Sequence, residues 1–302
     1  MEVTSQEKAP VKFERRVVAC IDFAPSDEDV LQQAKLVCLR TGASLQVVHV
    51  FEYGDLSELT QEGLLEFEAE VESRDGRLQG VVEKLHVPSL LISKMLLMGN
   101  VVHAIEKLVD DISPELLIVG TSGRRGMQRL LLGSTAEAIL RSVSCPVLTV
   151  GPNSRAYRNG PVVFATDFNP CTPSDLSYAL ALAKHLHVPL DCVHFLPPKA
   201  FKSKDAIIPA VLTEALEKLT SNVGAAKGSV RCFVEPGAHL HRDIVEFARK
   251  TSASAIVLGV LKRSSVQSHL SNHETFKILA TAPCPVYTLS HTREESAAEA
   301  MA

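Results

Sequence analysis

Residues 15–37, RRVVACIDFAPSDEDVLQQAKLV, decide the fold because the second half of the chain repeats them. Residues 160–186, GPVVFATDFNPCTPSDLSYALALAKHL, carry the same succession of an apolar run, an Asp-Phe pair and an amphipathic segment. Four further blocks recur in the same order, offset by about 140 residues: LQVVHVFE with LDCVHFLP, MGNVVHAIEKL with EPGAHLHRDIVEFA, ELLIVG with SAIVLG, and SCPVLTVGP with PCPVYTLSH. Such ordered self-similarity indicates two copies of one domain.

The two copies meet at residues 151–161, GPNSRAYRNGP, a polar stretch with glycine and proline that is typical of a linker. We therefore predict one domain over residues 1–152 and a second over residues 160–292. Residues 293–302 are predicted to form a disordered tail.

Each copy alternates short apolar runs with amphipathic segments. In the first copy, the apolar runs predict strands at residues 17–21, 45–50, 90–96, 116–119 and 146–150. Helical spacing of apolar residues follows at 29–39, in a long charged segment at 56–85, and after Gly99. Nearly continuous β-branched runs between helices are typical of a parallel sheet covered on both faces. We predict an α/β fold: two tandem, doubly wound domains of Rossmann-like type, each with a parallel five-stranded sheet.

The composition excludes several classes of protein. The chain has 302 residues, of which 46% are hydrophobic and 22% charged, and this is sufficient for two globular cores. Its net charge of −4 argues against a general nucleic-acid binder. No apolar run is long enough to span a bilayer, and the N-terminus lacks a signal-peptide core, so we predict a cytoplasmic protein without membrane contact.

A glycine-rich stretch, VGTSGRRGMQRLLLGSTAEAIL at residues 119–140, is the strongest candidate site. Its glycines fit the pattern G-x2-G-x9-G-S at Gly120, Gly123, Gly133 and Ser134. Glycines expose backbone N–H groups, and the start of the following helix attracts anions. The loop also adds positive charge at Arg124, Arg125 and Arg129. The pattern predicts a phosphate site at the carboxyl edge of the sheet, where ligands of doubly wound domains bind.

Structural explanations for the same residues stay open at this point. Residues 134–137, Ser-Thr-Ala-Glu, also form a capping box, which a helix can carry without a ligand. Asp22, at the end of the first predicted strand, is either a ligand for a base or sugar, a helix cap or a solvated carboxylate. The joint appearance of these features at one sheet edge favours a binding site.

The chain resembles a tandem member of the universal stress protein family over nearly its whole length. The glycine motif, Asp22 after the first strand, and His49-Val50 at the end of the second carry the resemblance. The family fold is five-stranded, doubly wound and similar to adenine nucleotide alpha hydrolases. The resemblance implies that Asp22 contacts the adenine end of ATP and that the Val50 backbone lies by the ribose and adenine.

It also implies that the phosphates, usually with a divalent metal such as Mg²⁺, are held by the glycine loop together with Ser134 and Thr135. Family members often dimerise through their last strands. In a tandem chain, residues 146–150 and 285–289 are the expected internal partners, which gives an intramolecular pseudo-dimer and leaves a further homodimer open.

The second copy departs from the motif. Counted from Gly259, the second glycine is replaced by Lys262, and the final Gly-Ser pair by Asn272 and His273. Side chains at these positions are expected to obstruct a phosphate, so we predict that the second copy does not bind ATP in the manner of the family.

We therefore expect a cytoplasmic protein whose first half binds ATP and acts as a sensor or switch for an unknown protein partner. No nucleophile with an activating base is visible, which predicts slow ATP hydrolysis at most.

The alternative is a nucleotide-free interaction scaffold, in which the second half holds zinc or another ligand through four histidines: His239, His241, His269 and His273. Gly133→Val is expected to separate the two by abolishing nucleotide affinity while leaving the fold intact.

Overall fold

The computed structural model describes residues 15–53, 60–85, 87–121, 132–152, 154, 159–169, 171–201, 207–226, 228–261 and 271–291. The elements of the first half are β1 Arg16–Ile21, α1 Asp27–Thr41, β2 Ser44–Phe51, α2 Gln61–Leu85, β3 Ile92–Met98, α3 Val101–Ile112, β4 Leu116–Gly120, α4 Ser134–Ser142 and β5 Val147–Val150. Those of the second half are β6 Val162–Ala165, α5 Thr172–Leu186, β7 Leu190–Leu196, a 3-10 helix at Pro198–Phe201, α6 Ile207–Asn222, β8 Val230–Pro236, α7 Leu240–Lys250, β9 Ala255–Leu261, α8 Ser271–Thr281 and β10 Val286–His291.

All strands join one ten-stranded sheet in the order β3-β2-β1-β4-β5-β10-β9-β6-β7-β8. Within each half the strands are parallel. In the first half, β2 and β3 lie on one side of β1, and β4 and β5 lie on its other side. The order therefore reverses between β1 and β4 in the first half, and between β6 and β9 in the second. These two positions are where doubly wound sheets open a crevice for ligands.

Local sequence explains where the elements begin and end. β1 and β4 are apolar almost throughout, and both of their faces are covered by helices. Helix α1 ends at Thr41 because Gly42 takes a left-handed conformation, with φ of 73°, and its N–H donates to the carbonyl of Cys38.

Two apolar layers cover the two faces of the sheet and run across both halves. One lies beneath α1, α2, α5 and α6, and the other beneath α3, α4, α7 and α8. The chain is thus a three-layer α/β/α molecule with a continuous central sheet, which confirms the predicted fold class.

The two halves join where β5 pairs antiparallel with β10. Leu148 is opposite Tyr287, and Val147 is opposite Thr288. Side chains of Leu148 and Tyr287 are both buried in the layer beneath α1 and α5. The predicted internal pairing of the last strands is confirmed.

One smaller expectation differs from the structure, and another is not tested by it. The third strand begins at Ile92 and not at residue 90, because Leu90 closes a turn in which its N–H donates to the carbonyl of Val87. The predicted tail at 293–302 lies outside the described residues. Within the described part of the chain, every helix is too short or too polar to cross a lipid bilayer.

Candidate functional site

The carboxyl ends of β1, β2 and β4 meet at the reversal point of the first half. Asp22 follows β1, Val50 is the penultimate residue of β2, and Gly120 ends β4. Helix α4 starts beside them, because the N–H of Gly133 donates to the carbonyl of Thr121, the residue after β4, over 2.8 Å. The structure thus brings together six of the predicted residues, of which Ser134 and Thr135 are exposed on the first turn of α4.

Two predicted residues cannot be placed in the same way. Gly123 and Arg124 fall in the stretch from 122 to 131, which lies outside the described residues. Their part in the site stays a prediction.

Asp22 shapes the turn between β1 and α1. One oxygen of its carboxylate accepts a hydrogen bond from the N–H of Ala24 at 3.1 Å. The intervening Phe23 has φ of 62°, a left-handed conformation that is rare for a residue with a side chain. Helix α1 begins only at Asp27, after an N-cap at Ser26. Asp22 therefore stabilises the tight turn and does not cap the helix.

Asp27 lies against the same turn and adds a second carboxylate. Its Oδ2 accepts hydrogen bonds from the N–H of Asp22 at 3.2 Å and of Ala24 at 3.0 Å. Burial and the neighbouring charge of Asp22 raise the pKa of Asp27 to about 6, although the backbone amides act in the opposite direction. The turn after β1 therefore changes its charge in mildly acidic solution.

His49 connects the ends of β1 and β2. Its Nδ1 lies 2.9 Å from the carbonyl oxygen of Ile21, and its Nε2 lies 3.1 Å from Nη1 of Arg74 on α2. Its ring also packs on Phe23, with the ring centroids 4.2 Å apart. Arg77, one turn after Arg74, places its guanidinium 4.2 Å from the centroid of the Phe23 ring.

Gly133 packs closely against the residue that follows β4. A Cβ atom at this position would lie 3.2 Å from the carbonyl oxygen of Thr121, which is a tight contact. Thr121 is itself buried and bonded to the carbonyl of Val150 through its N–H. Valine at this position would therefore require the carbonyl of Thr121 to shift by a few tenths of an ångström, and the expectation that Gly133→Val leaves the fold intact stays a prediction.

The start of α4 is not a capping box. Its N-cap is Gly133, which has no side chain to accept hydrogen bonds from the first-turn amides. The Glu137 carboxylate does not turn back to the helix start, since Oε1 pairs with the guanidinium of Arg141 at 2.7 Å. The helix therefore presents exposed residues at its positive end without the side-chain cap that the sequence allows.

The second half uses its corresponding glycine differently. A Cβ atom at Gly259, the counterpart of Gly120, would collide with the carboxylate of Asp175 from α5. Asp175 is buried, and its Oδ1 lies 2.6 Å from Nε2 of His291 at the end of β10. The position of Lys262 lies outside the described residues, so obstruction there stays a prediction.

The histidines proposed as zinc ligands are only partly described. His241 Nδ1 lies 2.6 Å from Oε2 of Glu274 on α8, and Lys277 lies 3.0 Å from the other oxygen of that carboxylate. His269 and the side chain of His273 lie outside the described residues. Among the side chains that are described, no three His, Cys, Asp or Glu residues are grouped as a metal site would require.

Sequence analysis did not identify three residues that shape this edge. Thr121, Arg74 and Arg77 lie on elements whose pairing follows only from the folded structure. The only sequence signal was their position: Thr121 follows Gly120 directly, and the two arginines are three residues apart on a helix with otherwise mixed charge.

Comparisons with known proteins agree with this architecture. The family model for the universal stress protein family matches residues 14–151 and 159–289. The universal stress protein A homolog 1 of Coxiella burnetii is 34% identical over 141 residues, which make up 45% of this chain and 95% of that protein.

Solved structures include a universal stress protein from Archaeoglobus fulgidus DSM 4304, which is 19% identical and has a TM-score of 0.71. The alignment covers 94% of this chain and 99% of that one, and it shows a common fold. Another structure is that of the universal stress protein from Archaeoglobus fulgidus in complex with dAMP, with 24% identity, a TM-score of 0.34, and coverage of 43% of this chain and 97% of that one.

Proposed function

The chain belongs to the universal stress protein family, with two family domains in tandem, and we propose that its first half binds an adenine nucleotide, ATP. The nucleotide would occupy the carboxyl edge between β1 and β4, with its base near Asp22 and Val50 and its phosphates at Gly133, Ser134 and Thr135. The cytoplasmic location and the absence of nucleic-acid and membrane partners belong to the same proposal.

The observation that carries the proposal is the start of α4. Gly133 brings the first turn to within hydrogen-bonding distance of Thr121, and Ser134 and Thr135 are exposed on that turn. Helix N-termini with exposed hydroxyls and no side-chain cap are well suited to phosphate, because the N–H groups and the helix dipole both favour an anion. This turn lies at the reversal point of the sheet, where doubly wound domains bind ligands.

The exposed hydroxyls of Ser134 and Thr135 suit a triphosphate, and we propose that it binds together with Mg²⁺. When bound, the ion would neutralise part of the phosphate charge. The hydroxyls of Ser134 and Thr135 would then hold the phosphates beside the amides of the first turn. We assign no side chain as a ligand of the ion.

A charge reversal at the helix start tests the proposal. Ser134→Glu places a carboxylate where the phosphate would lie, and acidic residues stabilise a helix N-terminus, so folding is preserved. We expect isothermal titration with Mg²⁺ and ATP to show binding to the wild type and an affinity for Ser134→Glu that is lower by at least about 30-fold. GTP and AMP titrations would measure the contributions of base and phosphate.

Ser271→Glu is the matched control, because Ser271 begins α8, the corresponding helix of the second half. We expect this variant to bind ATP as the wild type does. Loss of binding in Ser271→Glu but not in Ser134→Glu would move the site to the second half. No heat for any adenine nucleotide with the wild type would contradict the proposal and favour a nucleotide-free scaffold.

We further propose that the protein works as a regulatory module that a protein partner recognises in its nucleotide-bound form. Slow hydrolysis at most is expected, because the sequence shows no evident general base. Steady release of phosphate at more than about one turnover per second, within the range of ordinary enzymes, would instead indicate an ATPase.

A further inference from the structure

We infer that Arg74 is a positioning residue for the nucleotide site, acting through the tautomer of His49. This inference rests on the proposed function. The inference concerns how the end of β1 is held in place for the adenine end of the ligand. The residues involved are Ile21, His49 and Arg74.

The guanidinium of Arg74 fixes which nitrogen of His49 carries the proton. A guanidinium can only donate hydrogen bonds, so His49 Nε2, 3.1 Å from Nη1, must accept. The ring is therefore neutral with its proton on Nδ1, and Nδ1 donates to the carbonyl of Ile21 at 2.9 Å. This bond fixes the last carbonyl of β1, immediately before Asp22.

Arg74 is itself held firmly by its surroundings. Its Nη2 lies 2.6 Å from Oε1 of Glu70, and its guanidinium lies 4.2 Å from the centroid of the Phe51 ring. Only 16% of its side chain is exposed. An ion pair and a ring contact of this kind leave the guanidinium little freedom, so that it can impose one tautomer on His49.

A second arginine of α2 contacts the same turn. The guanidinium of Arg77 lies 4.2 Å from the centroid of the Phe23 ring, and this ring also packs on His49. Phe23 is the residue with φ of 62°, so side chains of both α2 and β2 contact the left-handed turn after β1. Helix α2 thus holds both the carbonyl before Asp22 and the ring after it.

The second half repeats the turn without the arginines. His194 Nδ1 lies 2.8 Å from the carbonyl of Thr166, and Phe168 has φ of 59° and packs on His194. The corresponding helix α6, IIPAVLTEALEKLTSN, contains no arginine. The arginines therefore occur only in the half that retains the full glycine motif, which separates a role in binding from a role in forming the turn.

Charged groups among the described residues near His49 come from two elements. Arg74 approaches from α2 together with Glu70, and Asp22 and Asp27 lie in the turn after β1. Without Arg74, Nε2 loses the donor that keeps it unprotonated, and an unperturbed imidazole takes a proton near pH 6.5. A positive ring would change the charge beside Ile21 and Phe23, the neighbours of Asp22, and is expected to alter the geometry of the turn.

The test combines nitrogen NMR of the histidine rings with nucleotide titration. In the wild type labelled with 15N-histidine, we expect His49, assigned with His49→Gln, to stay in the Nδ1–H form between pH 6 and 8. In Arg74→Met we expect the ring to exchange tautomers and titrate in this range, with ATP binding about tenfold weaker at pH 6 than in the wild type. Arg74→Lys, which can still donate to Nε2, is expected to restore the tautomer and most of the affinity.

Lys84→Met, an exposed substitution on the same helix with the same loss of charge, is expected to change neither readout. An Nε2–H form of His49 in the wild type overturns the inference, as does unchanged ATP affinity in Arg74→Met when the wild type binds ATP. If the wild type binds no nucleotide, both this inference and the proposed function fail. If Ser134→Glu loses binding while Arg74→Met does not, only this inference fails.

Discussion

The carboxylate of Asp175 lies against the backbone of Gly259, so close that a Cβ atom at residue 259 would overlap its Oδ2. Asp175 is also bonded to His291, which links α5 to the end of β10. Gly259 corresponds to the first glycine of the motif in the other half, and sequence comparison alone suggests a remnant of a phosphate site. The contact gives it a different role, since this glycine makes room for a buried carboxylate.

Gly259→Ala is therefore expected to destabilise the protein by about 1–3 kcal/mol, the usual cost of inserting a methyl group into a closely packed interior. Urea unfolding followed by circular dichroism measures this loss of unfolding free energy. The matched control is Gly76→Ala on α2, where the added Cβ meets no atom within 4 Å and a gain of up to about 1 kcal/mol is expected from helix propensity.

A double variant tests the cause of that loss. If the clash with Asp175 is responsible, Gly259→Ala combined with Asp175→Ala should cost less than the sum of the single changes by at least about 1 kcal/mol. Additive costs would show that another contact of residue 259 is involved.

Asp27 makes the stability of the first half depend on pH. Its pKa is about 6 in the folded protein and near 3.8 ordinarily, because of burial and the charge of Asp22. Between these values the folded chain binds more protons than the unfolded chain, so stability falls as pH rises from about 4 to 6. Asp27→Asn, which keeps an oxygen acceptor, should lack this fall.

Urea midpoints of both proteins at intervals from pH 4 to 7.5 measure the effect of Asp27. Asp29→Asn, an exposed change of the same charge on the first turn of α1, serves as the control and should run parallel to the wild type. A constant difference between Asp27→Asn and the wild type over this range would mean that Asp27 titrates in the ordinary way.

The fold could be predicted from sequence because its signals are local and occur twice. Apolar runs such as ELLIVG are short, uninterrupted and bounded by turns, so the strands and their parallel character follow from pattern alone. The pairing of β5 with β10 also followed, once the resemblance to a dimeric family was recognised. Boundaries shifted by two residues at β3, where a turn at Leu90 depends on contacts that no pattern encodes.

The candidate site was predictable only in outline. Asp22, Val50, Gly120 and Gly133 converge because parallel strands of a doubly wound sheet must end at one edge. The parts that sequence did not give are side-chain relationships between elements distant in the chain, such as Arg74 with His49 and Asp175 with Gly259. These depend on how a helix is rotated over the sheet, and helix α2 has polar residues on several sides.

Glu274 links α7 and α8 through an acid-sensitive contact. Although partial burial acts in the opposite direction, hydrogen bonds from His241 and Lys277 lower the pKa of Glu274 from 4.5 to about 2. Between these two pKa values, the folded chain binds fewer protons than the unfolded chain. The contribution of Glu274 to the free energy of unfolding is therefore complete above about pH 4.5 and is lost as pH falls towards 2. Because 35% of the side chain is exposed, we expect at most about 1 kcal/mol.

Glu274→Gln measures that contribution. The difference in unfolding free energy between the wild type and this variant should be greatest near pH 7 and should vanish near pH 2. A difference that is the same at both ends would show that packing, and not the charge of Glu274, accounts for it.

The antiparallel pairing of β5 with β10 should hold the two halves together even when the chain is cut between them. Leu148 and Tyr287 face each other across this pair in a buried layer, and Arg40 of α1 donates to the carbonyl of Leu186 on α5 at 3.2 Å.

After cleavage at a protease site inserted in the linker, the halves should co-elute in size-exclusion chromatography. Leu148→Asp, which buries an unpaired charge in the pairing, should separate them, whereas Leu65→Asp, at a side chain that is 63% exposed, should not. Separation of the wild-type halves after cleavage would mean that the linker, and not the continuous sheet, keeps the two domains together.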